Sequence, residues 1–136
     1  MRKPSKVTMM KKCDKLAKEI VFLRDGHCVT CPLWIKIKGD KHRPSQVMQP
    51  GHYITRGSKS VRWYLRNVYQ QCSTCNFIHE LHPEVMAQYV KGVLGDRGFE
   101  ELVFDGNQSM PSIHTWQLEV IYKQFEVILK DLQHDS

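Results

Sequence analysis

Two cysteine pairs constrain the fold of this chain more than any other feature of its sequence. They are Cys28-Val29-Thr30-Cys31 and Cys72-Ser73-Thr74-Cys75. The Cys-x-x-Cys spacing lets two thiolates from one tight turn reach the same tetrahedral Zn²⁺, and a second pair completes the shell. Because four thiolates leave no open position for water, we expect the zinc to be structural, so any chemistry must be carried by other residues.

The length and composition of the chain indicate one domain that needs the metal. At 136 residues, of which 41% are hydrophobic, the chain fits a single domain with a helical extension. The interval between the cysteine pairs has little regular apolar periodicity and is rich in Lys, Arg, Gly and Pro. A zinc clamp supplying on the order of 10 kcal/mol would stabilise it. Removal of the metal is therefore expected to unfold this half of the chain.

The sequence has no run of about eighteen apolar residues, as a membrane span requires, and no apolar signal-peptide core at its start. We therefore expect a soluble protein that stays inside the cell and has no membrane partner. In a reducing compartment, paired cysteines are more often metal ligands than disulfides. Cys13 is the fifth cysteine and belongs to neither pair. Its position on the apolar face of a predicted helix places it in the core.

The formal charge of +6 favours an anionic partner. Lysines and arginines concentrate at the N-terminus and again around the centre of the chain. The N-terminal group is as consistent with a flexible tail as with phosphate binding, whereas the central group favours phosphate over a merely solvated face. The central cations that we predict to contact DNA are Arg56, Lys59, Arg62 and Arg66.

The pattern of apolar residues divides the chain into four parts. Residues 1–7 form a basic tail that is predicted to be disordered, and residues 8–26 form an amphipathic helix with Thr8 as its N-cap and a stop at Asp25-Gly26. Residues 27–82 form the zinc-clamped part. There the alternation over residues 33–37 predicts a short strand, with Trp34 packed inside in preference to stacking on a base. Residues 83–136 are helical.

Three helices are predicted in this last part of the chain. Pro83 stands at the first position of a helix that ends at Gly95, and a short helix follows over residues 98–104. A long helix covers residues 115–133. It carries an apolar stripe that fits either the core or a dimer face, made of Trp116, Val120, Ile121, Phe125, Ile128 and Leu132.

Three polar residues stand in a defined order around the second cysteine pair. His52 lies on an extended segment that begins at Gly51, Asn67 opens a second strand over residues 67–71, and Asn76 follows the last cysteine on a helix that runs through His79. Strand, loop, strand and helix give the outline of a ββα-metal unit. His52, Asn67 and Asn76 in this order resemble the HNH nuclease motif, whose third position is often Asn. The other histidines have no partner pattern: His27, His42, His82, His114 and His134.

The resemblance narrows to one family. Segments 51–57, 67–68 and 71–76 read Gly-His-Tyr-Ile-Thr-Arg-Gly, Asn-Val and Gln-Cys-Ser-Thr-Cys-Asn, and they closely resemble the phage NinG (Rap) recombination proteins. The basic start and the C-terminal helices match too, so the resemblance covers nearly the whole chain. It implies an α+β fold, with a zinc-clamped ββα-metal (HNH-like) core flanked by a basic N-terminal helix and C-terminal helices.

The same resemblance implies a function. It indicates a phage-encoded, structure-selective DNA endonuclease that works in the cytoplasm of the bacterial host. Its substrates would be branched recombination intermediates such as Holliday junctions and D-loops. The two-fold character of such substrates would suit a homodimer.

The implied roles follow the needs of phosphodiester hydrolysis, which are a base for the attacking water and a divalent cation for the phosphate. His52 would be the general base. Asn67 would hold the loop and the orientation of the imidazole without touching metal. Asn76 would give an oxygen to Mg²⁺ or Mn²⁺, which favour hard oxygen ligands.

The chain departs from the common HNH pattern at one position. Many members carry Asp directly before the base as a metal ligand, and this chain has Gly51 there. The second protein ligand of the catalytic metal is therefore open. His79, one helical turn beyond Asn76, and Glu80 are both candidates, and the alternative is that both are surface residues.

Other assignments stay open as well. Arg56 and Arg62 are candidates for bidentate contacts to a phosphate, and the alternative is a salt bridge or an exposed loop. A zinc-clamped DNA-binding module that has lost catalysis would account for the missing Asp. A thiol redox protein is disfavoured, because two distant cysteine pairs around an HNH-like centre suit zinc better.

Overall fold

The computed structural model describes residues 3–110 and 112–135. Over this part of the chain it has the predicted α+β class, with five α-helices and one two-stranded sheet. The elements in order are α1 (Lys6–Asp25), α2 (Cys31–Lys38), β1 (Met48–His52), β2 (Val68–Cys72), α3 (Ser73–Leu81), α4 (Pro83–Gly106) and α5 (Thr115–His134). Two short 3-10 turns, Gly39–Lys41 and Leu65–Asn67, precede β1 and β2.

Helix α1 begins earlier than predicted. Its N-cap is Ser5, whose hydroxyl accepts a hydrogen bond from the Thr8 amide across 3.1 Å, so Thr8 lies inside the first turn. Gly26 ends the helix with a φ of 74°, a left-handed conformation that favours glycine. Residues 6 and 7 of the predicted tail are thus helical, and residues 1 and 2 lie outside the described residues.

The strand predicted over residues 33–37 is wrong, because this segment lies in helix α2. Pro32 stands in the first turn of α2, where its fixed φ and its missing N–H suit the start of a helix. An alternation this short cannot distinguish a strand from one face of a helix. The packing role predicted for Trp34 is confirmed, since its side chain is buried.

The sheet is an antiparallel pair of β1 and β2, in which His52 at the end of β1 lies opposite Val68. The extended segment predicted to begin at Gly51 in fact begins three residues earlier, at Met48, and β2 begins one residue after Asn67. Helix α3 follows β2 directly. Cys72 is its N-cap, and the Cys72 sulfur accepts a hydrogen bond from the Cys75 amide across 3.4 Å. Both members of the second cysteine pair are therefore fixed by the junction of strand and helix.

Helices α1 and α5 pack along one another around a shared hydrophobic core. Cys13 is completely buried there, and its thiol lies 3.4 Å from the Leu118 carbonyl oxygen, to which it donates. Burial raises the pKa of this thiol to about 11. The predicted core position of Cys13 is confirmed. The buried residues of this core are Met9, Cys13, Ala17, Ile20, Trp63, Ile113, Leu118 and Phe125.

The apolar stripe of α5 is only partly buried. The residues of the stripe that pack in the core between α1 and α5 are Ile121, Phe125, Ile128 and Leu132. Trp116 and Val120, in contrast, are 63% and 47% exposed. A core role thus describes the C-terminal part of the stripe.

Helix α4 consists of two segments joined at Gly95, whose φ of 75° and ψ of 170° interrupt the helix. The first segment ends where it is predicted to end, and the second includes the predicted helix over residues 98–104 and continues to Gly106. A second buried cluster joins α4 to β2 and to neighbouring loops: Val29, Val61, Tyr69, Met86, Val90 and Leu102. Within the described residues, none of the helices combines the length and apolar content that a membrane crossing requires.

Candidate metal centre and the cleft beside it

The four cysteines of the two pairs come together as predicted. Cys28 precedes α2 and Cys31 begins it, whereas Cys72 ends β2 and Cys75 lies in the first turn of α3. The Cys31 Sγ lies 3.6 Å from the Cys72 Sγ and 3.5 Å from the Cys75 Sγ, and all four sulfurs are within 4.8 Å of one another. A tetrahedron with Zn–S bonds of about 2.3 Å has sulfurs about 3.8 Å apart. This group, the cysteine cage, fits a structural Zn²⁺.

The chemistry of the cysteine cage also favours a cation. Burial raises the pKa of the Cys31 thiol to about 12. A hydrogen bond with Cys75 lowers the pKa of Cys28 to about 4, and the same bond raises the pKa of Cys75. Without added positive charge, Cys28 therefore carries the negative charge, and Cys31 and Cys75 keep their protons. A dication would supply the charge that lets all four become thiolates.

His42, for which the sequence shows no partner pattern, lies against the cysteine cage. Its Nε2 is 3.3 Å from the Cys31 Sγ and 3.7 Å from the Cys75 Sγ. The imidazole is buried and stacks on Trp34, with 6.5 Å between the ring centroids. No motif spacing predicts this contact, because the turn after α2 creates it. The only sequence signal was a histidine within the interval between the two cysteine pairs.

A cleft of about 770 Å³ lies beside the cage, at the point where Asn76 follows Cys75 on α3. Its lining residues are Gln49, Pro50, His52, Tyr53, Thr55, Arg56, Asn76, His79, Glu80 and Pro83. The structure therefore brings together five of the residues singled out by the sequence, which are His52, Arg56, Asn76, His79 and Glu80. The other predicted site residues are outside this lining: Lys59, Arg62, Arg66 and Asn67.

His52 ends β1 and is half-buried in the wall of the cleft. Its Nε2 lies 3.2 Å from the main-chain oxygen of Arg62. Because a carbonyl oxygen only accepts, Nε2 carries the proton and the neutral ring keeps its lone pair on Nδ1. Burial lowers the pKa of His52, and the positive charge of Arg56 adds to this effect, against the raising effect of the bond to Arg62. The imidazole is therefore neutral at pH 7 and able to accept a proton.

Helix α3 contributes three polar side chains to the cleft. The Asn76 Nδ2 donates to the Gln49 Oε1 across 2.9 Å, so the Asn76 Oδ1 points away from Gln49. The His79 Nε2 donates to the Tyr53 carbonyl oxygen across 3.0 Å, which leaves the lone pair on Nδ1. This Nδ1 is buried and has no hydrogen-bond partner among the described residues. The Glu80 carboxylate lines the same cleft.

Asn67 is fully buried and fastens the loop between β1 and β2. Its Oδ1 accepts a hydrogen bond from the Ile54 amide across 2.8 Å. Its Nδ2 donates to the carbonyl oxygens of Ile54 and Val61 across 3.0 and 3.3 Å. Asn67 thus holds this loop at two points, through Ile54 near His52 and through Val61, which precedes Arg62.

The two arginines predicted to grip a phosphate both pair with Asp14 on α1. The Arg62 guanidinium lies 2.6 Å from the Asp14 carboxylate, and its side chain is 12% exposed. Arg56 lies 3.3 Å from the same carboxylate, but its side chain is 60% exposed and lines the cleft. Arg62 thus adopts the salt-bridge alternative, whereas Arg56 is accessible. Arg66 pairs with Asp105 across 3.5 Å.

No protein-family model matches this chain, and comparisons with curated proteins and with solved structures find no match either. The cysteine cage and the residues of the cleft are therefore the features of this chain that bear on its function.

Proposed function

We propose that this chain is a metal-dependent endonuclease that cuts branched DNA, with β1, β2 and α3 as an HNH-like core. One observation carries the proposal: His52, Asn76 and His79 line the same cleft as Arg56. A proton acceptor, atoms able to hold a cation and an accessible positive charge thus surround one space. The resemblance to the phage NinG (Rap) proteins supports branched recombination intermediates as the substrate and the bacterial host cell as the place of action.

His52 is the general base in this proposal. Its Nδ1 lone pair takes the proton of the attacking water while Nε2 remains bound to the Arg62 carbonyl oxygen. That bond holds the ring in one orientation and stabilises the imidazolium that forms. A positioned base of this kind contributes about 10²–10⁴-fold to the rate.

Asn76 would hold Mg²⁺ or Mn²⁺ through its Oδ1, with His79 or Glu80 as the second protein ligand. The buried and unpartnered Nδ1 of His79 fits this role, since a buried polar atom without a partner needs an explanation. When bound, the cation stabilises negative charge on the phosphate and on the departing oxygen. The cysteine cage serves only to fix β2 and α3, because a four-thiolate zinc has no open position.

Arg56 would contact the phosphate next to the cut. Its side chain is 60% exposed and lines the cleft, which leaves the guanidinium able to form a bidentate contact. Lys59 and Arg66 would extend the positive surface along the DNA backbone. Arg62 belongs to the scaffold in this arrangement, because it is held by Asp14.

The test is a cleavage assay with the purified full chain. A four-way junction and a linear duplex of the same sequence are incubated with Mg²⁺, with Mn²⁺ or with EDTA. We expect metal-dependent cleavage of the junction by the wild type and by the control His134→Ala, whose histidine is exposed at the end of α5. His52→Ala should lose about 10²–10⁴-fold in rate. Cleavage by His52→Ala at the wild-type rate would contradict the proposal.

A second candidate is a zinc-clamped DNA-binding module without catalysis. One observation favours it: of the described residues that line the cleft, Glu80 is the only one with a carboxylate. Divalent cations at phosphoryl-transfer sites are commonly held by one or two carboxylates. Tight binding of the junction by wild type and His52→Ala alike, with no cleavage in either metal, would support this candidate.

A further inference from the structure

His42 contacts the cysteine cage and has no part in the proposed nuclease chemistry. Helix α2 ends at Gly39, whose φ of 57° directs the chain into a 3-10 turn. The His42 amide then donates to the Gly39 carbonyl oxygen across 3.1 Å. This turn brings the imidazole back to Cys31 at the other end of α2. The plane of the His42 ring makes an angle of 15° with that of the Trp34 ring, and His42 is 6% exposed.

The surroundings of the ring decide which nitrogen carries the proton. Nε2 lies 3.3 Å from the Cys31 Sγ and 3.7 Å from the Cys75 Sγ. Nδ1 is buried and has no hydrogen-bond partner among the described residues. A proton on Nδ1 would therefore bury an unpaired N–H and set the Nε2 lone pair against those of the sulfurs. A proton on Nε2 gives the sulfurs a donor and leaves only an acceptor lone pair unpaired at Nδ1.

We infer that His42 belongs to the metal centre as a hydrogen-bond donor, whose Nε2–H donates to the Cys31 and Cys75 thiolates of the zinc-loaded cage. Four thiolates outweigh the charge of one Zn²⁺, and excess negative charge is costly in a buried site. An N–H donor spreads this charge and holds the sulfurs in place. His42 is not a ligand itself, because four sulfurs within 4.8 Å of one another are enough to fill the four positions of a structural zinc.

This inference stands apart from the nuclease proposal, because it concerns the retention of zinc. Residues that hydrogen-bond to metal ligands typically change metal affinity by about 10–100-fold. His42 is thus a positioning residue of the zinc centre. The turn after α2 places it there, and the Cys-x-x-Cys spacing does not predict it.

The first experiment compares zinc release from the full chain and three variants. His42→Phe keeps a ring against Trp34 but removes the donor, and His42→Gln retains an N–H. His27→Gln is the control, because His27 is exposed and stands beside Cys28. Transfer of zinc to an excess of a chromogenic chelator should be at least about 10-fold faster in His42→Phe than in the wild type. His42→Gln should fall between them, and His27→Gln should match the wild type.

A second readout separates the hydrogen bond from a loss of packing. With Co²⁺ in the cysteine cage, the sulfur-to-cobalt charge-transfer band reports electron density on the thiolates. Loss of the N–H donor should move this band to longer wavelength in His42→Phe and leave it unchanged in His27→Gln. An unchanged band together with wild-type zinc release would overturn the inference.

A third measurement needs no variant to fold. Heteronuclear NMR of the histidine rings in the zinc-loaded wild type identifies the protonated nitrogen of each ring. We expect His42 to carry its proton on Nε2. A proton on Nδ1, or an Nε2 resonance typical of direct metal coordination, would contradict the assignment of His42 as a donor.

Discussion

His52 and Arg62 are joined by a hydrogen bond of 3.2 Å from the imidazole Nε2 to the main-chain oxygen. The Arg62 guanidinium is in turn bound to Asp14 on α1 across 2.6 Å. The candidate base is therefore coupled to the core of α1 and α5 as well as to the sheet. Burial lowers the pKa of His52 against the raising effect of this hydrogen bond, which sets the tautomer of the ring.

The pH dependence of cleavage should report the lowered pKa of His52. Since burial places this pKa below the ordinary 6.5, the base stays neutral, and cleavage should stay near its maximum, until the pH falls below 6.5. Stability should change in the same direction. Because the pKa of His52 is lower in the folded state, the free energy of unfolding should decline as the pH falls below the pKa of histidine in the unfolded chain.

The measurement is the single-turnover cleavage rate between about pH 5 and pH 8 at constant ionic strength, the range in which histidine titrates. Junction binding by the same protein over the same range, in Ca²⁺ to prevent turnover, is the control. A half-maximal rate at a pH above 6.5 would show that the pKa of the base is not lowered.

Asn67→Ala should destabilise the chain strongly, although Asn67 is outside the cleft. The substitution removes three hydrogen bonds to the backbone of Ile54 and Val61 and leaves buried groups unpaired. We expect a loss of about 3 kcal/mol in the free energy of unfolding, since each such group costs about 1–3 kcal/mol. Urea unfolding of the zinc-loaded protein measures it. Asn107→Ala, at an exposed position, is the control, and an equal loss in both variants would argue against the loop contacts.

Sequence patterns predict the parts of this chain whose geometry depends on local spacing. The Cys-x-x-Cys pairs predict the cysteine cage, and apolar periodicity predicts α1, with Cys13 inside. Contacts made by tertiary turns are not predictable in this way. His42 reaches the cage only because Gly39 turns the chain, and Arg62 meets Asp14 only because α1 packs beside the loop.

Arg56 and Arg62 should respond differently to substitution. Arg62→Ala removes a side chain that is 12% exposed and bound to Asp14, and it should cost about 1–3 kcal/mol of stability. Arg56→Ala affects a side chain that is 60% exposed and should cost less than about 1 kcal/mol. We expect Arg56→Ala instead to weaken junction binding. The slope of log K against the logarithm of the salt concentration should become shallower by about the contribution of one phosphate contact. Fluorescence anisotropy at several salt concentrations measures both, and a wild-type salt dependence in Arg56→Ala would exclude the phosphate contact.

Removal of zinc should unfold the centre of the chain. The metal is expected to contribute on the order of 10 kcal/mol, so a strong chelator should abolish the near-ultraviolet circular dichroism of buried Trp34. Cys75→Ala should lose zinc, and Cys13→Ala should keep it, because Cys13 lies in the separate core of α1 and α5. Thiol counting adds a check on the redox alternative. Rapid disulfide formation between Cys28 and Cys31 in the untreated protein would favour a redox role over a zinc cage.

Gly51 directly precedes His52, and the structure gives a physical reason for the glycine there. A Cβ at this position would overlap the side-chain oxygen of Gln71. Gln71 is 1% exposed, and its Nε2 donates to the Thr30 hydroxyl across 2.9 Å. A side chain at position 51 must therefore displace a buried, hydrogen-bonded amide.

We expect Gly51→Ala to lose about 1–3 kcal/mol of stability, the usual cost of overpacking. Gly51→Asp should lose at least as much and gain neither Mg²⁺ affinity nor cleavage rate, because its carboxylate cannot be accommodated without moving Gln71. Gly57→Ala is the matched control, since the nearest atoms to its added Cβ lie 3.9 Å away on Thr55. Thermal unfolding measures the stability of the three variants, and the junction cleavage assay measures their cleavage rates. Faster cleavage by a fully stable Gly51→Asp would show that the cleft accepts a carboxylate there and that Gln71 does not require the glycine.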